Sequence, residues 1–239
     1  MTLRRNRFAD AGAAADALAL SIAADLNDRL ARQPRALLLV SGGRSPIPVF
    51  MALARQPLPW ERIDVSLVDE RSVALEHEDA NARLVRQHLL TGAASAACWI
   101  ALMPPDLFGR ADNAFIAARA AAEQANVDPA LAEPAVILLG MGNDGHTASL
   151  FADAPQWPEA KQTSRRYIAL QPVAAPHARV SLTLQALRAQ QRCYLWAMGA
   201  DKAVTLARLE ADGAARDNGA GPVACLLADP DVLLDAYCD

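Results

Sequence analysis

The stretch "VILLGMGNDGHTASLF", Val136–Phe151, joins a short apolar run to a glycine-rich turn. A run of this kind that ends at a turn is typical of a strand buried on both faces, as in a parallel sheet. Three polar side chains follow in the turn: Asn143, Asp144 and His146. Ligands of parallel α/β sheets bind beyond the carboxyl ends of the strands. The stretch therefore predicts a fold class and the place of a site.

Strands and helices alternate on both sides of this stretch. Apolar residues recur at helical spacing between Asp10 and Leu30, and the segments Asp79–Leu90 and Asp112–Gln124 are also expected to be helical. This alternation predicts an α/β fold with a mostly parallel central sheet and helices on both faces, Rossmann-like, with residues 1–239 as a single domain. Further strands are expected at "RALLLV", "RIDVSLVDE" (Ile63–Val68), "CWIALM", "YIALQP", "RVSLTL" and "RCYLWAMG", and a further helix at "DKAVTLARLE".

Composition excludes several classes of function. The chain has 239 residues, 53% of them hydrophobic, and a formal net charge of −4. The hydrophobic fraction is enough for a substantial core. The negative net charge provides no global basic field that would attract nucleic acid or an anionic membrane. No apolar run approaches the roughly 18 residues of a membrane span. The four cysteines form no CxxC pair, which favours scattered thiols in a reducing compartment, and we expect a cytoplasmic protein.

The common catalytic and metal motifs do not occur. Neither GxSxG nor HExxH is present, and the four histidines, at positions 77, 88, 146 and 177, have no metal-ligand spacing. His77 and His88 are expected at the surface, on or near a helix. We expect no metal and no organic cofactor.

The glycines of the opening stretch spell GxGxxG at Gly140, Gly142 and Gly145. A dinucleotide site also needs an acidic residue about 20 positions later, and here that neighbourhood is the basic "KQTSRRY". The glycines are therefore interpreted as a tight turn between the strand and a helix that begins at Thr147. The N-terminus of such a helix disfavours imidazolium, so His146 would stay neutral and act as a general base, with Asp144 orienting its ring. A histidine satisfied by local hydrogen bonds remains the alternative.

A second candidate site is "LLLVSGGRSP", in which a strand opens into a glycine turn and a helix start. Ser45 is expected to cap that helix, with Pro46 at its first position. Exposed N–H groups and the helix dipole would form a phosphate cradle, although GxxxxGK is absent and an ordinary glycine turn is the alternative. The cradle residues are Ser41, Gly42, Gly43, Arg44 and Ser45.

Three further charged positions lie at strand or helix boundaries. Asp69 and Arg71, in "SLVDERSV", emerge with Glu70 at a strand end and could supply a carboxylate and a phosphate-pairing arginine. Arg179 in "HARVSLTL" and Lys202 in "GADKAVTL" add two cations. Taken singly, each has an ordinary surface interpretation.

Together these segments resemble the 6-phosphogluconolactonase family. The resemblance covers most of the chain through "SGGRSP", "DERSV" with "DANARLVRQHLL", "GMGNDGHTASLF", "RVSLTL" and "GADKAVTL", in the family's order. It implies the fold shared with glucosamine-6-phosphate deaminases. It also implies hydrolysis of 6-phospho-D-glucono-1,5-lactone to 6-phosphogluconate in the oxidative pentose phosphate pathway, without metal or cofactor. The expected partner is the small sugar-phosphate substrate alone, and the protein is expected to be a monomer, with a dimer as the alternative.

Two rivals share this fold. Deaminases resemble "DGHIAFNEP" at the central loop, with a glutamate five residues after the histidine, where this chain has Phe151. Non-enzymatic sugar-phosphate sensors carry a helix-turn-helix segment, for which the roughly 35 residues before the first strand leave little room. Arg44 stands where the lactonases usually have Ser or Thr, which leaves the geometry of the phosphate loop open.

The resemblance and the residues together predict a division of roles. His146 deprotonates a water that attacks the lactone carbonyl, and Asp144 aligns the imidazole. The cradle holds the phosphate with Arg179, Lys202 and Arg71. Backbone N–H groups of the glycine turn, or Arg71, stabilise the oxyanion, and Asp69 contacts sugar hydroxyls or shares in proton transfer.

Overall fold

The structure is a computed structural model that describes residues 2–107, 113–190, 192–211 and 221–239. Within these residues the chain forms ten strands and eight α-helices. The strands are β1 (Thr2–Arg7), β2 (Ala36–Val40), β3 (Ile63–Leu67), β4 (Asp69–Arg71), β5 (Cys98–Trp99), β6 (Pro134–Gly140), β7 (Tyr167–Leu170), β8 (Arg179–Leu182), β9 (Arg192–Ala197) and β10 (Leu233–Cys238). The helices are α1 (Ala11–Arg32), α2 (Ile47–Ala54), α3 (Asn81–His88), α4 (Ala114–Val127), α5 (Trp157–Gln162), α6 (Leu184–Arg188), α7 (Ala200–Ala211) and α8 (Pro222–Ala228).

Seven strands form the central sheet, in the order β1-β10-β9-β6-β2-β3-β5, and every neighbouring pair is parallel. All five residues of β2 are buried, so both faces of the sheet are covered there. The predicted α/β class with a mostly parallel central sheet is confirmed. In this sheet β3 and β5 lie on one side of β2, whereas β6, β9, β10 and β1 lie on the other. The order therefore reverses between β2 and β6, and a crevice is expected at their carboxyl ends.

A second sheet, in the order β4-β8-β7, is antiparallel and adjoins the central one. Its attachment is direct, because the Val68 N–H donates to the Val40 carbonyl of β2 at 3.0 Å and the Leu182 N–H donates to the Val68 carbonyl at 2.8 Å. Within this sheet Arg71 stands opposite Arg179. The small sheet therefore carries both arginines toward the crevice.

Helix α1 has a side-chain N-cap and one buried apolar face. The Asp10 carboxylate accepts a hydrogen bond from the Ala13 N–H, which satisfies one of the unpaired donors of the first turn. Leu18, Ile22 and Leu26 recur on one face and are fully buried. Each such side chain contributes about 1.5–3 kcal/mol by leaving water. In the described part of the chain, no helix combines the length and apolarity needed to cross a bilayer.

Several element predictions were wrong in detail. Helix α2 begins at Ile47, with Pro46 at its cap position and no side-chain cap, so Ser45 is not the N-cap. The third strand is confined to Cys98–Trp99. The helix expected over Asp112–Gln124 is Ala114–Val127, and its predicted start at position 112 lies outside the described residues.

The largest error concerns the helix expected from Thr147. The chain forms a tight turn there, with the Leu150 N–H bonded to the Thr147 carbonyl at 3.1 Å, and the next helix is α5. The predicted effect of a helix starting at Thr147 on His146 is therefore wrong.

Candidate active site

A cleft of about 180 Å³ lies at the carboxyl ends of β2 and β6, where the strand order reverses. Every residue predicted for the site lines it except Asp144, which reaches it through His146. The lining carries four cations against one carboxylate, which favours an anionic ligand. These charged residues are Arg44, Arg71, Arg179 and Lys202, with Asp69 as the carboxylate.

His146 is held by a carboxylate and by an aromatic ring. Its Nδ1 lies 2.6 Å from Asp144 Oδ1, and the same oxygen accepts the His146 backbone N–H at 3.1 Å. The Phe151 ring stacks on the imidazole, with centroids 4.1 Å apart and planes inclined by 24°. Partial burial opposes ionisation of Asp144, but the hydrogen bonds and charge of His146 outweigh it and lower the pKa of this carboxyl. An ionised Asp144 fixes the tautomer with the proton on Nδ1, which leaves Nε2 free to accept one.

The glycines make this arrangement possible. The Gly142 N–H donates to the His146 carbonyl at 2.9 Å, and the Gly145 N–H donates to the Gly142 carbonyl at 3.0 Å. A Cβ at Gly142 would lie 2.2 Å from His146 Nδ1, and Gly145 adopts a left-handed φ of +84°. Two N–H groups of the turn are thus occupied, so the suggestion that the glycine turn provides oxyanion donors is wrong for these two positions.

The segment "TASLF" folds back on the sheets through its hydroxyl groups. Thr147 Oγ1 donates to the Gly140 carbonyl at 2.7 Å, and Ala148 takes a φ of +50°. Ser149 Oγ donates to Asp69 Oδ2 at 2.5 Å. These bonds replace the expected helix because short hydroxyl side chains compete with helical hydrogen bonding. Sequence reasoning did not identify Ser149 as part of the site.

Asp69, Ser149 and Arg179 form a buried chain along one wall. Arg179 Nη1 donates to Ser149 Oγ at 3.2 Å, and its Nη2 donates to the Pro176 carbonyl at 3.1 Å. The guanidinium also lies over the Phe151 ring, 5.2 Å from the centroid. Burial lowers the pKa of Arg179, and the charge of Asp69 opposes that shift. Phe151 thus separates the imidazole from the arginine and contacts both.

The predicted phosphate cradle and Lys202 meet at the opposite end. Lys202 Nζ donates to Ser45 Oγ at 2.7 Å, and Trp196 Nε1 donates to the Ser45 carbonyl at 2.8 Å. Ser41 Oγ accepts the Gly140 N–H at 3.0 Å, which joins the loops after β2 and β6. Burial lowers the pKa of Lys202. Arg44 is exposed on the rim of the cleft.

Behind Asp69 and Arg71 lies a buried support that sequence reasoning missed. The Glu70 carboxylate accepts N–H groups of Arg71, Asn81 and Ala82, at 2.7, 2.8 and 2.7 Å. Burial raises the pKa of Glu70 to about 7, although these three hydrogen bonds act in the opposite direction. Asn81 Nδ2 donates to the Asp69 carbonyl at 2.9 Å. The start of α3 therefore fixes the strand that carries two site residues.

Known proteins resemble the chain over nearly its whole length. A family model described as glucosamine-6-phosphate isomerases/6-phosphogluconolactonase matches residues 9–233. The 6-phosphogluconolactonase of Pseudomonas putida is 38% identical over 234 residues, 97% of this chain and 91% of that protein. The one of Neisseria meningitidis serogroup A is 40% identical over 202 residues, 82% and 84% of the two chains. A crystal structure of a 6-phosphogluconolactonase from Shewanella baltica matches with a TM-score of 0.88 at 30% identity, covering 100% of this chain and 97% of that one. The chain belongs to the glucosamine-6-phosphate isomerase/6-phosphogluconolactonase family and, within it, to the 6-phosphogluconolactonases.

Proposed function

We propose that the chain hydrolyses 6-phospho-D-glucono-1,5-lactone to 6-phosphogluconate, the second step of the oxidative pentose phosphate pathway, with His146 as general base. The observation that carries this proposal is the carboxylate-paired imidazole at one side of a cleft lined by four cations. The first feature supplies a base and the second supplies the binding charge for a phosphorylated substrate. The similarity to the 6-phosphogluconolactonases of Pseudomonas putida and Neisseria meningitidis supports the same reaction.

The phosphate is proposed to bind at the end formed by Lys202 and the loop after β2. Lys202 Nζ already donates to Ser45, so a phosphate oxygen can share that ammonium. Gly43 has a φ of +86°, and nothing lies within 4 Å of the position its Cβ would take. An anion can therefore approach the backbone closely there. Arg44 on the rim adds a charge that steers the substrate toward this end.

The proton transfers follow from the tautomer of His146. Nε2 takes a proton from a water as its oxygen attacks the lactone carbonyl carbon. The tetrahedral oxyanion then reforms the carbonyl, the bond to the ring oxygen breaks, and that oxygen takes the proton from the imidazolium. Asp144 stabilises the imidazolium during the step and stays ionised.

Arg71 and Arg179 are proposed to stabilise the oxyanion, and the N–H groups of Gly142 and Gly145 already donate to carbonyl oxygens of the turn. Both guanidinium groups line the cleft, and each has a buried Nε without a hydrogen-bond partner among the described residues. Asp69, tied to Ser149, is proposed to accept a hydroxyl of the sugar.

The test is a coupled assay with freshly generated lactone, in which 6-phosphogluconate formation is followed above the spontaneous rate. We expect His146→Asn to lower kcat about 10²–10⁴-fold, the usual contribution of a general base. His88→Asn, on α3 and outside the cleft lining, is the matched control and should behave as wild type. Near-normal kcat in His146→Asn would remove His146 from this role. Ammonia release from glucosamine 6-phosphate would instead identify a deaminase.

A further inference from the structure

Two histidines and an aspartate meet at one point outside the cleft lining. His177 Nε2 lies 2.8 Å from Asp79 Oδ2, and His77 Nδ1 lies 3.9 Å from the same oxygen. All three donor atoms lie within 4.8 Å of one another. His177 follows Asp79 by 98 residues, so the spacing of histidines along the chain could not reveal this cluster.

The backbone on both sides is arranged to present these side chains. The Ala80 N–H donates to the His77 carbonyl at 3.1 Å, which closes a turn, and the Asp79 N–H donates to His77 Nδ1 at 3.1 Å. His177 adopts a left-handed φ of +71°, which costs a residue other than glycine about 1–2 kcal/mol. The next residue is held just beyond the paired strands β4 and β8, since the Ser72 N–H donates to the Ala178 carbonyl at 2.8 Å. A strained histidine persists here, and its ring points at Asp79.

We propose that His77, Asp79 and His177 bind a divalent transition-metal ion, with Zn²⁺ as the best match. Two imidazole nitrogens and one carboxylate oxygen are a donor set typical of zinc, whereas Mg²⁺ and Ca²⁺ prefer oxygen ligands alone. Zinc ligands lie at about 2.0–2.2 Å from the ion. The side chains of His77 and Asp79 are 42% and 46% exposed, so they have room to rotate inward and close the remaining distance. His77 Nδ1 then exchanges the hydrogen bond from the Asp79 N–H for the ion. Each imidazole binds the ion through a ring nitrogen that carries no proton.

The ion would connect the two turns that hold the arginines of the cleft. Arg71 Nη1 donates to the Asp79 carbonyl at 2.6 Å, and Arg179 Nη2 donates to the Pro176 carbonyl beside His177 at 3.1 Å. A metal bridge between Asp79 and His177 fixes both carbonyls, and with them both guanidinium groups. The site is therefore a clamp on the substrate-binding wall, separate from the His146 base.

Direct metal binding is the primary test. Chelator-treated protein in a Cys98→Ser background, which removes an exposed thiol, is titrated with Co²⁺ and then with Zn²⁺. We expect visible d–d absorption that saturates at one Co²⁺ per chain and is displaced by Zn²⁺. His177→Asn and His77→Gln should each weaken binding at least tenfold, and His88→Gln should not. Asparagine suits position 177 because it tolerates the left-handed backbone.

The outcomes are separable. The proposed site is overturned if the starting protein binds no Co²⁺. It is also overturned if His177→Asn and His77→Gln bind Co²⁺ as tightly as the starting protein does. Far-UV circular dichroism and melting curves check that both variants are folded. If only one variant folds, that variant alone suffices for the comparison with the starting protein. A second measurement rests on the proposed function: Zn²⁺ should lower KM for the lactone severalfold in the starting protein, with little effect in His177→Asn. Unchanged KM with intact metal binding would overturn the clamp and leave lactone hydrolysis unaffected.

Discussion

Gly142→Ala tests whether the observed position of His146 produces the activity. A Cβ at residue 142 would lie 2.2 Å from the Cε1 and Nδ1 atoms of His146 and 2.6 Å from Asp144 Oδ1. Ordinary van der Waals contact begins at about 3.4 Å, so the ring has to move by about 1 Å. That movement breaks the 2.6 Å contact with Asp144 and the stacking on Phe151. A displacement of this size reduces catalysis about 10²-fold, which equals about 2.7 kcal/mol in the barrier.

Gly140→Ala is the matched control, because its added methyl group meets only Ser41 Cβ, at 3.8 Å. The coupled lactone assay should give a kcat about 10²-fold below wild type for Gly142→Ala and within a factor of three for Gly140→Ala. The clash involves a partly exposed side chain (30%) that can swing away, so the melting temperatures of both variants should stay close to wild type. Full kcat in Gly142→Ala would refute the reasoning, since the imidazole could not then be working from where it lies.

Three further predictions concern the walls of the cleft. Lys202→Met should raise KM for the lactone about 10- to 100-fold with little change in kcat, because a hydrogen bond to a charged group contributes about 1.5–3 kcal/mol. Gly42→Ala should lower the free energy of unfolding by about 1–3 kcal/mol in urea titrations, since the methyl would lie 2.0 Å from Cγ of the buried Asn81. The pKa of Glu70, about 7 when folded, exceeds its ordinary 4.5, so the unfolded chain releases this proton first as pH rises. As the pH rises from 4.5 to about 7, Glu70 should therefore reduce the free energy of unfolding by about 3 kcal/mol. Glu70→Gln should remove this dependence of the free energy of unfolding on pH.

The strands that the sequence identified are those with continuous apolar runs. β2 and β6 were predicted because burial on both faces demands such runs, and their carboxyl ends gave the correct location of the cleft. β1 and β10 were missed, and the reason is a buried charge. Asp235 of β10 is fully buried and bonds the side chains of Arg4 and Asn6 of β1. A charge in the middle of a strand argues against burial until its partner, more than 200 residues away, is known.

The sequence predicted the residues of the candidate site whose own side chains could bind or react with a ligand. It did not predict the residues that only hold other site residues in place. His146, Asp144 and the four cations were recognisable by residue type and by their positions near strand or helix boundaries. Glu70, Asn81 and Ser149 were not, because each acts by bonding backbone or side chains that are distant along the chain. Pairings of that kind are set by the sheet register, which a single sequence does not specify.

Phe151 matters both in the sequence comparison and in the packing of the cleft wall. On sequence grounds it argues against a deaminase, because an acid–base glutamate would stand at that position. In the structure the ring packs between His146 and Arg179, with centroid distances of 4.1 Å to the imidazole and 5.2 Å to the guanidinium carbon. A glutamate there would place a second carboxylate beside the imidazole and neutralise the arginine that lines the cleft. With phenylalanine at position 151, no carboxylate of this residue opposes the charge of Arg179. Phe151 therefore bears both on the distinction from deaminases and on the charge of this wall.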